Sequence, residues 1–165
     1  MMSMWMIWLH LMGIVISLGA GLLLVIGIYP ACRRIEDEDV RFRTLAGILK
    51  YFHPLYLFGI CLTFMTGAIG LTTLKIGLGE TYYQQIGGIL IQKFGLTMLI
   101  FLVASMQCFG QGLKVTRMAN GIIPADSATK EKYLKKIYRA TLINVILIAI
   151  TLYIGLKLPQ AVQAL

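Results

Sequence analysis

Only two histidines occur in this chain, and each lies within or at the edge of a long apolar run. His10 sits inside the stretch from Met4 to Ala31, which carries no carboxylate, lysine or arginine before Arg33–Arg34. His53 stands near the start of a second run, Tyr51 to Leu74. An ionisable side chain in such surroundings is costly unless it faces the protein interior and has a partner or a task. His10 falls roughly 7–9 Å below the outer surface at a rise of ~1.5 Å per residue. At similar depth come Gly67 and Gly70 on the second run, Met98 on the third, and Thr151 and Tyr153 on the fourth, with Lys75 and Lys93 just above. An imidazole, two glycines that let a flat ligand approach, and cations above them suit haem b. His10 Nε2 would bind the iron, Lys93 would pair with a propionate, and Met98 would be a second iron ligand. A structural histidine bonded to a backbone carbonyl or a serine, and a proton-handling one, are the other readings of His10.

A second polar level gathers His53, Gln107, Gln111, Thr141 and Asn144 toward the opposite surface. Amides facing a histidine could hydrogen-bond a quinone carbonyl, or could satisfy one another as interhelical glue worth only about 0.6 kcal/mol per bond. The two histidines are roughly 25 Å apart by helix rise and cannot clamp one haem. Pro54 fits the opening turn of a membrane helix.

These residues need helices to hold them. With 58% hydrophobic and 13% charged residues in 165, and a mean hydropathy of +0.80, the chain is far from the quarter charged residues of a soluble domain. Its charges cluster, leaving four long apolar runs, each able to cross ~30 Å of hydrocarbon. The pattern predicts one all-α membrane domain over 1–165, a four-helix bundle with helices at about 4–31, 51–74, 89–112 and 140–158. The second helix extends back toward Asp39, and the fourth is preceded by a basic amphipathic turn from about 127. The amino terminus lacks the basic start of a signal peptide, and the run after it is too long for one, so it reads as a retained first helix.

Twelve of the fifteen Lys and Arg residues fall between helices 1 and 2 or between helices 3 and 4; Lys75, Lys93 and Lys157 lie on the other side. That asymmetry puts the basic loops in the cytoplasm and both termini outside, in an inner membrane. It also answers the net charge of +8, which would otherwise suggest a nucleic-acid partner: the basic residues line a membrane surface and face anionic lipid. Trp5, Trp8, Tyr82 and Tyr83 suit an outer aromatic belt, and Tyr29, Tyr51, Tyr133 and Tyr138 an inner one. The acidic run Glu36 to Asp39 reads as a solvated loop whose carboxylates start helix 2. Asn120–Gly121 stops helix 3, and Asp126 and Ser127 are good caps for helix 4. Cys32, Cys61 and Cys108 share no metal-ligand spacing and imply no disulfide.

Helix contacts in lipid favour small and hydrogen-bonding residues. Gly13, Ser17 and Gly21 form such a row on helix 1, and His10 shares their face. Helix 2 offers Gly59, Thr63, Thr66, Gly67 and Gly70; helix 4 offers Thr141, Asn144, Ile148, Thr151 and Gly155. Helix 3 offers Gly95, Gln107 and Gln111.

LHLMGIVISLGAGL around His10, RxLxxxxKYFHP from Arg43 to Pro54, TGAIGL from Thr66, KFGLTMLIFLVASM from Lys93 and RMANG from Arg117 together cover most of the chain. In these segments it resembles the membrane domain shared by the HemJ-type haem-dependent protoporphyrinogen oxidases and the copper-resistance D-like (CopD-like) proteins. The resemblance implies haem b bound through His10, with Lys93 in support. The chain departs from the oxidase pattern at Ser17, around Ile26 and late in helix 3, where that group carries a tryptophan, an arginine and a histidine. The expectation is therefore a haem-b-binding inner-membrane protein, acting in electron transfer or as a subunit of a larger membrane redox complex or homo-oligomer, and not an enzyme by itself. The alternatives are a cofactor-free accessory subunit, a transporter of copper or another small solute, with Met1, Met2, Met4 and Met6 as soft ligands, and a protoporphyrinogen oxidase.

Overall fold

The computed structural model describes residues 3–79 and 87–163, apart from the side chains at 74, 77, 78 and 157–163. Met1, Met2, Tyr82 and Tyr83 lie outside the described residues. Four helices account for nearly all of the rest: α1 Met4–Cys32, α2 Glu38–Leu78, α3 Gly87–Ala119 and α4 Ser127–Gln163. Among the described residues there is no strand. All four helices are long and apolar enough to cross a membrane.

Each boundary has a local cause. Asp37 Oδ1 accepts from the N–H groups of Asp39 and Val40 at 2.9 and 3.0 Å and starts α2, as the acidic run suggested. Gly79 ends α2 at φ 57°, a backbone conformation that glycine adopts without strain. Asn120 caps α3 and Gly121 turns the chain away at φ 73°. Asp126 Oδ1 then accepts from Thr129 N–H at 3.3 Å and opens α4. Within α1 the turns from Leu23 to Ile28 widen to π-helix immediately before Pro30, which has no N–H to give and whose ring crowds the carbonyl four residues back.

The burial pattern is inverted relative to a soluble protein. Ser17, His53, Thr66, Gln107, Thr141 and Asn144 are buried, whereas Ile76, Ile91, Met106, Phe109 and Leu156 are exposed. Polar groups inside and large apolar ones outside is what hydrocarbon solvent selects. Helices pack on their neighbours in chain order and α4 closes against α1. The closest approach is between α1 and α2. A Cβ on Gly13 would lie 2.8 Å from Thr63 N and 2.9 Å from the Gly59 carbonyl, and one on Gly59 would lie 2.9 Å from Ser17 N. The small-residue row Gly13, Ser17, Gly21 is therefore an interface, fully buried.

Three expectations change. First, with α2 unbroken from Glu38, in keeping with its expected extension toward Asp39, Pro54 lies deep inside the helix rather than in an opening turn. In the same way the amphipathic turn from 127 is the first part of α4. Both projections are held by packing: Phe42, Leu45, Ala46 and Leu49 share a core with Val115, Met118, Leu134 and Ile137. Lys130–Asp39 (2.7 Å) and Arg41–Glu131 (3.8 Å) pair across the same two helices, and Ser127 donates to the Glu38 carboxylate. Second, Tyr29 is buried and stacked on Tyr138 at 4.5 Å, and so serves the core rather than an interfacial belt. Third, Gly95 faces outward, and a Cβ there would meet nothing within 4 Å.

Candidate functional site

The core is uneven. Most of its buried side chains lie in the half of the bundle nearest the basic loops, from Leu24, Tyr29 and Cys32 on α1 to Leu134 and Ile137 on α4. The other half holds a partly open cavity of about 530 Å³ walled by all four helices, within the range that holds cofactors and small ligands. His10 lines it from α1, Gly67 and Gly70 from α2, Lys93 from α3, and Thr151 and Gly155 from α4. Of the residues the sequence placed at or just above this depth, His10, Gly67, Gly70, Lys93 and Thr151 meet at one space, whereas Lys75, Met98 and Tyr153 do not line it. Thr97, the neighbour of Met98, does, because one residue along a helix turns the side chain by ~100°.

His10 is held by a residue that the sequence placed only on the interior face of its helix. Its Nδ1 lies 2.9 Å from Thr66 Oγ1. That hydroxyl has one proton and gives it to the Leu62 carbonyl, 2.6 Å away on its own helix. Toward His10 it can only accept, so Nδ1 carries the hydrogen and Nε2 keeps its lone pair. Among the described residues Nε2 has no hydrogen-bond partner. An imidazole oriented through Nδ1–H with Nε2 bare is the tautomer a metal-ligating histidine needs. Gly67 serves the same ring: a Cβ there would stand 3.4 Å from His10 Cε1. Its clearance is for the imidazole edge.

The remaining walls supply acceptors. Ser17, Thr63, Thr97 and Thr151 all line the cavity, and each donates its hydroxyl proton to a carbonyl one turn back on its own helix, at 2.8–2.9 Å. They offer the cavity lone pairs, and the threonines add methyl groups. Lys93 is the exception, a half-buried ammonium with no carboxylate partner among the described residues. It reaches across to α4, where a Cβ on Gly155 would lie 3.2 Å from its Nζ. The site thus combines one nitrogen lone pair, one cation without a carboxylate partner among the described residues, and apolar walls such as Ile60, Phe64, Phe94 and Leu152. It suits a large, mostly apolar ligand bearing an electrophilic centre and a negative group.

The second polar level is packed differently. His53 is buried, and a Cβ on Gly112 would overlap its ring at 2.5 Å. Gln107 Nε2 donates to Thr141 Oγ1 at 2.8 Å and Asn144 Nδ2 to the Ile100 carbonyl at 3.4 Å, tying α3 to α4. Part of this level is therefore the interhelical glue the sequence suggested. Helix α3 widens to π-helix from Met106 to Gly112, the stretch that carries Gln107, Cys108 and Gln111. Thirteen helical positions separate His53 from Thr66, about 20 Å by rise, so the two histidines serve separate regions.

Comparison of the chain with known protein families, with curated proteins and with solved structures found no match.

Proposed function

We propose that this chain is a haem-b-binding protein of an inner membrane, with both termini outside. It acts in electron transfer or as a subunit of a larger membrane redox complex. The observation that carries this reading is the His10–Thr66–Leu62 chain, which leaves Nε2 of a cavity-lining imidazole as a lone pair in a polar-poor space. His10 would hold the iron as the one protein ligand the walls offer, and Lys93 would pair with a propionate. Apolar residues of α2, α3 and α4 would cover the macrocycle. Bound haem would supply one-electron chemistry, its potential set by the imidazole, the Thr66 contact and the low-dielectric walls. The chain's own part is to orient the ligand, neutralise a carboxylate and keep water from the faces of the ring.

The test is a reduced-minus-oxidised visible spectrum of the purified protein. A haem b signal that His10→Ala abolishes supports the reading. A protein that stays colourless after haem is added would leave a cofactor-free scaffold, whose small-residue faces pack helices and nothing more.

A further inference from the structure

The cavity's walls hold one strong ligand for iron and no second. Among the described residues that line it, only His10 and Lys93 carry a side-chain nitrogen, and none is a methionine, cysteine, tyrosine or carboxylate. Lys93 is an ammonium, which has no lone pair to give a metal. The remaining polar atoms are hydroxyls, and neutral oxygen is a poor partner for an iron that imidazole suits.

Those hydroxyls are also spent as donors. Ser17, Thr63, Thr97 and Thr151 give their protons to carbonyls of their own helices, and Thr66 gives its proton to Leu62. The His10 Nδ1–H is taken by Thr66. Apart from the Lys93 ammonium, the lining side chains therefore present no free O–H or N–H group to a guest. The walls are reached from the side as well. Leu11, Phe94 and Leu156 line the cavity and are at the same time exposed on the apolar outer surface. Lipid meets that surface, and small apolar solutes concentrate in lipid.

We propose that the cavity leaves the iron position opposite His10 to an exogenous ligand, a small neutral molecule of the carbon monoxide or nitric oxide type drawn from the bilayer. The inference rests on the haem reading and specifies what that reading leaves open, the second axial position. Such a molecule binds through a lone pair on its own carbon or nitrogen, and needs no donor beside it. Dioxygen, whose binding relies on a hydrogen-bond donor nearby, is the poorer fit. Binding is coordination alone, and no bond within the guest breaks. What the chain contributes is the single imidazole, walls whose protons all point back into the helices, and a lipid-facing mouth.

The test adds carbon monoxide to the haem-reconstituted, reduced full-length chain in lipid nanodiscs, read by visible, magnetic circular dichroism and infrared spectra. Before the gas the ferrous haem should be high-spin and five-coordinate. On adding it the whole Soret band should sharpen and move to shorter wavelength. The C–O stretch should stand at the high frequency of a pocket without donors. A stretch lowered by a hydrogen bond overturns the choice of ligand class. Low-spin ferrous haem that the gas leaves unchanged, in a protein where His10→Ala still abolishes haem binding, overturns the inference and leaves the proposed function standing. If Lys93→Gln turns that low-spin spectrum high-spin, the amine is the second ligand. A protein that binds no haem, or binds it equally well without His10, removes the proposed function and this inference together.

Discussion

His10 and His53 make a controlled pair: the same side chain, on the inner faces of adjacent antiparallel helices, near opposite ends of the bundle. Their neighbours decide what each can do. Around His10 the facing positions are Thr66, Gly67 and Gly70, and the imidazole borders open space with one nitrogen committed and the other bare. Around His53 the helices close until Gly112 has no room for a methyl group; the ring lies against Phe52 and the α3 backbone, and Cys108 donates to the His53 carbonyl. A histidine in a membrane bundle thus borders open space or is packed in place according to the volume left beside it. Small residues opposite it can either leave that volume open or let a partner helix fill it.

Substitutions can break this contrast. The largest effect should come where backbones touch. Gly13→Leu or Gly59→Leu would drive α1 from α2 and cost about 3 kcal/mol or more, read as loss of monodisperse protein, while Gly95→Leu, with open space beside it, should stay within about 0.5 kcal/mol. Next is Gly112→Ala, which should cost about 1–3 kcal/mol by overpacking His53. Gly67→Ala at 3.4 Å from His10 should barely move thermal unfolding yet disturb bound haem. If both behaved alike, the surroundings of the two histidines would not differ in this way. Thr66→Val removes the acceptor that fixes the His10 tautomer. It should lower haem affinity by about 10–100-fold, with Thr66→Ser restoring it, measured by haem titration.

The smallest effect is at the start of α4. The Thr129 hydrogen bonds hold the Asp126 carboxyl below the usual carboxylate range. Its contribution to stability is present above the ordinary value near 3.8 and is lost as pH falls through the lower folded value. Asp126→Asn should flatten that slight acid loss in a melting series below pH 4.

How much of this was legible depends on the range of the interactions involved. The four apolar runs, the Gly13–Ser17–Gly21 face and the stops at Asn120–Gly121 and Asp126 are local signals, and the sequence alone places them correctly. The full lengths of α2 and α4 are not local. The sequence extends α2 back toward Asp39 and marks a basic amphipathic turn from 127, but what holds these charged turns is the meeting of Phe42, Leu45 and Leu49 with Leu134 and Ile137. The site divides in the same way. Depth counting brought His10, Lys93, Gly67 and Gly70 to one level, but depth carries no azimuth, and so it included Met98, which turns away from the cavity. The His10 tautomer was out of reach, since it depends on where the proton of a threonine on another helix goes. So was the set of buried polar atoms around His53, Gln107 and Gln111 with no partner among the described residues.

Coordination of iron by His10 Nε2 in the cavity is the claim on which the proposed function stands. Optical spectra of the purified native protein and of His10→Ala, both reconstituted with haem and reduced, test it most directly. We expect a haem b spectrum in the native protein that vanishes in the variant, with unchanged helix content. A spectrum of equal strength in both would contradict it.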